Sequence, residues 1–183
     1  MSVNRGKQFE KVIRESFEKV PDMLVVRLHD QTSGYAGSKN PCDFIMYHKP
    51  CMYAIECKSV HGNTLSIHSK PKPDHSGKLQ GFHGNITDYQ WEQLSLMSKV
   101  KGCHSGVICW WVDRDVTLYL SMPLLEYLYN SGCKSIPYNL ISQSFLFGLC
   151  LNQSAIEING KKKRVFFDYD IADFLERLNN GKS

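Results

Sequence analysis

The sequence predicts an α/β fold, a central mixed β-sheet flanked by helices, in one domain spanning 1–183. Segments of helical period alternate with short apolar runs in the order helix, strands, helix, strands, helix. The apolar runs have strand length rather than helix length. No internal repeat or interdomain linker divides the 183 residues, a length that suits one domain with a sizeable core.

Each element has a local reason. NRGKQFEKVIRESFEKV (4–20) places Phe9, Val12, Ile13, Phe17 and Val20 on one helical face, and Pro21 stops it. MLVVRL (23–28) is a short strand, followed by a polar loop over 29–41. CDFIMYH (42–48) and CMYAIECKS (51–59) are strands joined by a tight turn between Lys49 and Pro50. That turn pairs 48 with 51 and, counting outward, 43 with 56. Residues 60–86, rich in Gly, His, Lys, Ser and Pro, read as a long irregular segment, functional or disordered. TDYQWEQLSLMSKV (87–100) is a helix opened by a capping box of Thr87 and Gln90. SGVICWWV (105–112) and VTLYLS (116–121) are strands turning at Asp113-Arg114-Asp115. Trp110 and Trp111 read as strand core, one of them a candidate for an exposed interface. Pro123 starts the helix PLLEYLYNSG (123–132). A short helix is expected around Leu140, and AIEINGKKKRVFFDY (155–169) reads as a hairpin on Asn159-Gly160. DIADFLERLNN (170–180) is a closing helix capped by Asp170.

Composition narrows the function. With 42% hydrophobic and 22% charged residues the chain is globular, not disordered. A net charge of +4 permits a polyanionic partner without demanding one. Seven cysteines without a CxxC pair read as buried free thiols in a reducing compartment. The histidines at 29, 61, 68, 75 and 83 are irregularly spaced and read as scattered loop residues, not metal ligands. A polar N-terminus and the lack of any membrane-length apolar run point to a cytoplasmic protein.

The feature that calls for an explanation is three charges inside apolar runs. Asp43 and Glu56 are expected as direct cross-strand neighbours, and Lys58, two residues on from Glu56, shares their face. Two opposed carboxylates repel each other unless a positive group sits between them. A divalent cation with hard oxygen ligands, Mg²⁺ or Mn²⁺, suits the place. The Cys57 carbonyl can point at the same ion, and Lys58 would orient a water or stabilise charge on phosphorus. The bland alternative is a partly exposed sheet edge with a Glu56–Lys58 ion pair.

PCDF followed by IECKS resembles the PD-(D/E)xK nuclease motif, with Cys42 standing between Pro41 and Asp43. Within that superfamily the chain resembles the RecU-type Holliday junction resolvases of Gram-positive bacteria and their phages. KLQGFHGNITDYQWEQL, GVICWWV with VTLYL, GCKSIPYNL and FDYDIADFLERL extend the likeness over about residues 40–179. The resemblance implies a restriction-endonuclease-like fold and a metal-dependent endodeoxyribonuclease of recombination and repair. It implies Mg²⁺ as cofactor, with Mn²⁺ as a substitute. It also implies branched DNA, four-way junctions above all, as partner, and a homodimer. Asp43, Glu56, Lys58, Gln90 and Glu10 become the catalytic set. Asp43, Glu56, the Cys57 main-chain carbonyl and Glu10 become the metal ligands. Hydrolysis would leave a 5′-phosphate and a 3′-hydroxyl. The stalk that such enzymes insert before the motif aspartate is missing, since only 29–41 occupies its place. This keeps open a nuclease acting on flaps, nicks or ends, and an inert DNA-binding module. The compact form leans toward a phage origin.

By helical spacing Glu10 faces away from the apolar stripe, so a solvent-exposed role is the alternative for it. Capping alone would account for Gln90. Arg5, Lys7, Lys39, Lys70, Lys72, Lys78 and Gln80 are candidate DNA contacts, weighed against ordinary surface residues. Gly34, Gly37 and Ser38 with Lys39 could form a loop over the DNA backbone, but a plain connector is the preferred reading. GKKKR (160–164) reads as a solvated hairpin end.

Overall fold

The computed structural model describes residues 5–28, 40–67, 84–139, 155–164 and 166–180. Its centre is a six-stranded mixed sheet. In chain order the strands are β1 (Leu24–Arg27), β2 (Phe44–His48), β3 (Cys51–Val60), β5 (Cys103–Trp111), β6 (Val116–Ser121) and β8 (Ile156–Glu157), and they lie side by side in that order. β3 and β5 are parallel, and every other neighbouring pair in the sheet is antiparallel. A parallel pair needs a long crossover, supplied here by the chain from β4 (Thr64–Ser66) through α2 (Asp88–Ser98).

Helices cover both faces, as the sequence predicts. α1 (Arg5–Phe17) and the closing helix α4 (Ile171–Asn180) bury Phe9, Ile13, Phe17, Phe174 and Leu175 against Met46, Ile55, Ile108 and Trp110. On the other face α2 and α3 (Met122–Asn130) bring Leu94 and Leu125 against Ala54, Val107, Cys109 and Trp111. β5 is buried along its whole length, with successive residues serving opposite cores. Trp110 and Trp111 are therefore both buried, one in each core, and neither is an interface residue. Cys42, Cys57, Cys103 and Cys109 are free and buried. Among the described residues no helix is long and apolar enough to cross a membrane.

Thr87 and Gln90 form the expected capping box of α2. Asp170 accepts from the Asp173 N–H at 3.1 Å, capping α4. Gly106 shows why β5 needs glycine opposite Ser121. A Cβ there would collide with the Leu120 carbonyl oxygen and lie 2.8 Å from the Tyr119 ring. Gly106→Ala is expected to cost about 1–3 kcal/mol, read as a lower urea midpoint at unchanged slope.

Two expectations are corrected. Asn159-Gly160 is not a hairpin turn. β8 adds to the open edge of β6, and the chain then crosses to form β9 (Gly160–Lys162), which pairs with β10 (Phe167–Tyr169). Burial of Ile158 beside Tyr169 in the first core competes with the local turn preference and wins. Gly160 is required by the close approach of Asp168, whose carbonyl oxygen lies 2.8 Å from where a Cβ would sit. Second, 60–86 is not wholly irregular. β4 pairs with β7 (Ser135–Pro137), placing Leu65 opposite Ile136, both fully buried. Three-residue strands are too short to show a period in sequence. The helix expected around Leu140 falls outside the described residues.

Candidate active site

The hairpin has the register counted from its turn. His48 pairs with Cys51 and Phe44 with Ile55. The Asp43 N–H donates to the Ile55 carbonyl at 3.1 Å, which sets Asp43 across from Glu56. β3 continues past this point, paired only with β5, where Glu56 meets Val107 and Lys58 meets Cys109. The site sits at that step, where one strand leaves the sheet and its neighbour runs on. By alternation Glu56 and Lys58 share the face of Ala54 and Val60, the side covered by α2. β3 is an interior strand, so the sheet-edge alternative does not hold.

Glu56 is 1% exposed. Its Oε1 accepts from Lys58 Nζ, and its Oε2 is buried without a hydrogen-bond partner. Burial raises the Glu56 pKa, with Lys58 opposing the rise and Glu10 adding to it. Asp43 Oδ2 accepts from the Cys57 N–H at 2.7 Å. Burial first, and the charge of Glu56 second, push the Asp43 carboxyl up to about 7 despite that hydrogen bond. Burial works against the Lys58 ammonium, but the Glu56 charge outweighs it and raises the pKa overall. Two buried carboxylates thus share one ammonium, and one carboxylate oxygen is unpartnered.

Such a site fits a hard divalent cation. The Cys42 thiol is pushed up to about 12, and the Cys57 thiol well above its ordinary range, by burial first and then by the two carboxylates. Neither sulfur is an available thiolate, so oxygen is the donor on offer. Among the described residues no three His, Cys, Asp or Glu side chains gather into a complete metal cage. Mg²⁺ needs none, because it characteristically takes one or two carboxylates and completes its shell with waters and phosphate oxygens.

Glu10 is not the exposed helix residue that its spacing allows. It is half-buried, accepts from Arg27 Nη2 at 2.7 Å, and its charge raises the pKa of both Asp43 and Glu56. Arg27 is the residue that sequence reading missed. The available signal was an arginine near the end of an otherwise apolar strand, on the side from which the chain enters the Asp43 segment. Gln90 closes the capping box of α2, and its side chain also reaches Glu56. Its Oε1 accepts from the Thr87 N–H at 3.0 Å, and its side chain acts on Glu56 as a donor that opposes the pKa rise. It does so without closing a hydrogen bond on Glu56 Oε2. Arg5 lies in the first turn of α1 with Nη1 3.4 Å from His61 Nε2, and Lys7 is exposed nearby on the same helix. Lys39, Lys70, Lys72, Lys78 and Gln80, with Gly34, Gly37 and Ser38, fall outside the described residues. Of the lysines in 160–164, Lys162 pairs with Asp115 and Lys163 with Asp168.

Compared with known proteins, the chain matches no family model and no curated protein. Among solved structures it is similar to the Holliday junction resolvase Hjc of the archaeal hyperthermophile Archaeoglobus fulgidus. The identity is 18%, 64% of this chain and 78% of that one are covered, and the TM-score is 0.41. At this level of likeness the chemistry has to be read from the site's own residues.

Proposed function

We propose that the protein is a Mg²⁺-dependent, structure-selective DNA endonuclease of the PD-(D/E)xK type, resembling RecU-type resolvases and nicking four-way junctions. The observation that carries this reading is the buried pairing of Asp43 with Glu56 beside Lys58, with Glu56 Oε2 left unpartnered. Asp43, Glu56 and the Cys57 carbonyl would hold the cation, with Glu10 in reserve behind Arg27. When bound, Mg²⁺ supplies polarisation of a phosphoryl oxygen and a lowered pKa for its water. Lys58, kept as an ammonium by Glu56, is a poor base, and its role is to orient the attacking water and neutralise charge growing on the phosphoryl oxygens. Gln90 steadies Glu56 from α2. A two-fold dimer would supply two related sites for opposed nicks.

A second reading is favoured by the short connection between β1 and Asp43, which leaves no room for a stalk: a nuclease of the same superfamily acting on flaps, nicks or ends. Cleavage of four-way, flap and linear duplex DNA with Mg²⁺ or Mn²⁺ separates the two. Symmetric nicking confined to the four-way junction establishes the resolvase. Equal cutting of all three establishes the general nuclease. Binding without cutting in either metal would leave an inert DNA-binding module.

A further inference from the structure

Beyond the carboxylates, the end of the sheet where β3 runs out carries a second ordered cluster. His61 follows β3 directly, and its Nδ1 lies 3.0 Å from Asp113 Oδ1 in the β5–β6 turn. The other Asp113 oxygen accepts from the Gly62 N–H at 2.5 Å. Gly62 has φ +79°, a left-handed conformation that glycine takes without strain, so Asp113 holds both the turn and the ring. With Nδ1 committed to a carboxylate, Nε2 is the outward atom. It faces Arg5 Nη1 at 3.4 Å, longer than a good hydrogen bond. Arg114, next in the turn, is held by Asn63 at 2.6 Å.

Exposed contacts of this kind contribute little to stability. What they produce is a fixed imidazole edge opposite a guanidinium, and with the ring protonated both groups would donate to one oxyanion. The place also suits DNA. His61 lies three residues past Lys58, about 10 Å of extended chain, which is about three nucleotides at 3.4 Å of rise each.

We propose that Arg5 and His61, the latter fixed by Asp113, form an anchoring site for a backbone phosphate of the DNA strand running through the Asp43–Glu56 site. This rests on the nuclease reading above. Asp113 is a positioning residue, and Arg5 and His61 are the contacts.

The test is fluorescence anisotropy of a labelled four-way junction with Ca²⁺ in place of Mg²⁺, over about 50 to 200 mM salt. Arg5→Ala is expected to reduce the slope of log affinity against log salt by roughly 0.9. His61→Ala should reduce it as well. Asp113→Asn should move toward His61→Ala. Lys49→Ala, at the opposite end of β3, should leave the slope at the wild-type value. Wild-type slopes in both Arg5→Ala and His61→Ala, with a wild-type protein that binds and cuts, overturn this site and leave the nuclease reading standing. A wild-type protein that neither binds nor cuts DNA overturns both.

Discussion

Asp43→Asn and Glu56→Gln are each expected to lower DNA cleavage by on the order of 10³-fold, with the fold intact. Both replacements keep the shape and remove the charge. The amide oxygen introduced by Asp43→Asn can still accept from the Cys57 N–H that now meets Asp43 Oδ2 at 2.7 Å, so the strand step is preserved. What is lost is one of the two anionic carboxylates that would hold a cation against an incoming phosphate. Lys58→Ala should fall in the same range, because Lys58 is the only ammonium paired with Glu56 among the described residues. Single-turnover cleavage of the preferred DNA in Mg²⁺, beside a urea melt of each protein, measures both quantities. An Asp43→Asn protein that melts like wild type and cuts like wild type would sink the assignment.

The second large effect concerns stability without metal. The Asp43 carboxyl is raised from its ordinary 3.8 to about 7, chiefly by burial and next by the charge of Glu56. The folded protein therefore keeps this proton over a window in which the unfolded chain has already lost it. The stability from that proton is fully present below about pH 4 and is lost as pH rises toward 7 and beyond. At 1.36 kcal/mol per unit the ceiling is about 4 kcal/mol, with Glu56 acting in the same direction. Metal-free Asp43→Asn should therefore melt above wild type at about pH 8, by up to roughly 16 °C at about 2–4 °C per kcal/mol, and the gap should close toward about pH 4. Mg²⁺ should raise the wild-type Tm and leave the variant nearly unchanged, because a ligand stabilises only the fold that binds it. Thermal melts across this pH range with and without Mg²⁺ provide the check. Parallel wild-type and variant curves would show that the two carboxyls are not a strained pair.

The central triad could be read from the chain because it depends on short-range geometry. A tight turn at Lys49-Pro50 fixes which residue faces which, and the period of two then places Asp43, Glu56 and Lys58 together. Thr87 and Gln90 were legible for the same reason, since a capping box lies within four residues. Arg27 was not, because its partner Glu10 lies on another element, and nothing in either local pattern reports how α1 is rotated against β1. Asn159-Gly160 is the opposite case, a strong local turn signal that tertiary contacts override.

By itself, then, the sequence determined the helices with a clear apolar stripe, the strands long enough to show themselves, the β2–β3 register and the three charges it aligns. Tertiary structure alone decided that β3 runs parallel to β5, that β8 closes the edge of β6, and that β4 finds β7. It also decided that Glu10 turns to Arg27, that Gln90 acts on Glu56, and that Asp113 fixes His61. The division follows sequence distance. Turn count, period and capping act over a few residues and leave a pattern in the chain. Pairings across tens of residues depend on which edges and faces are still open once the first layers have packed, and composition and spacing do not record that competition.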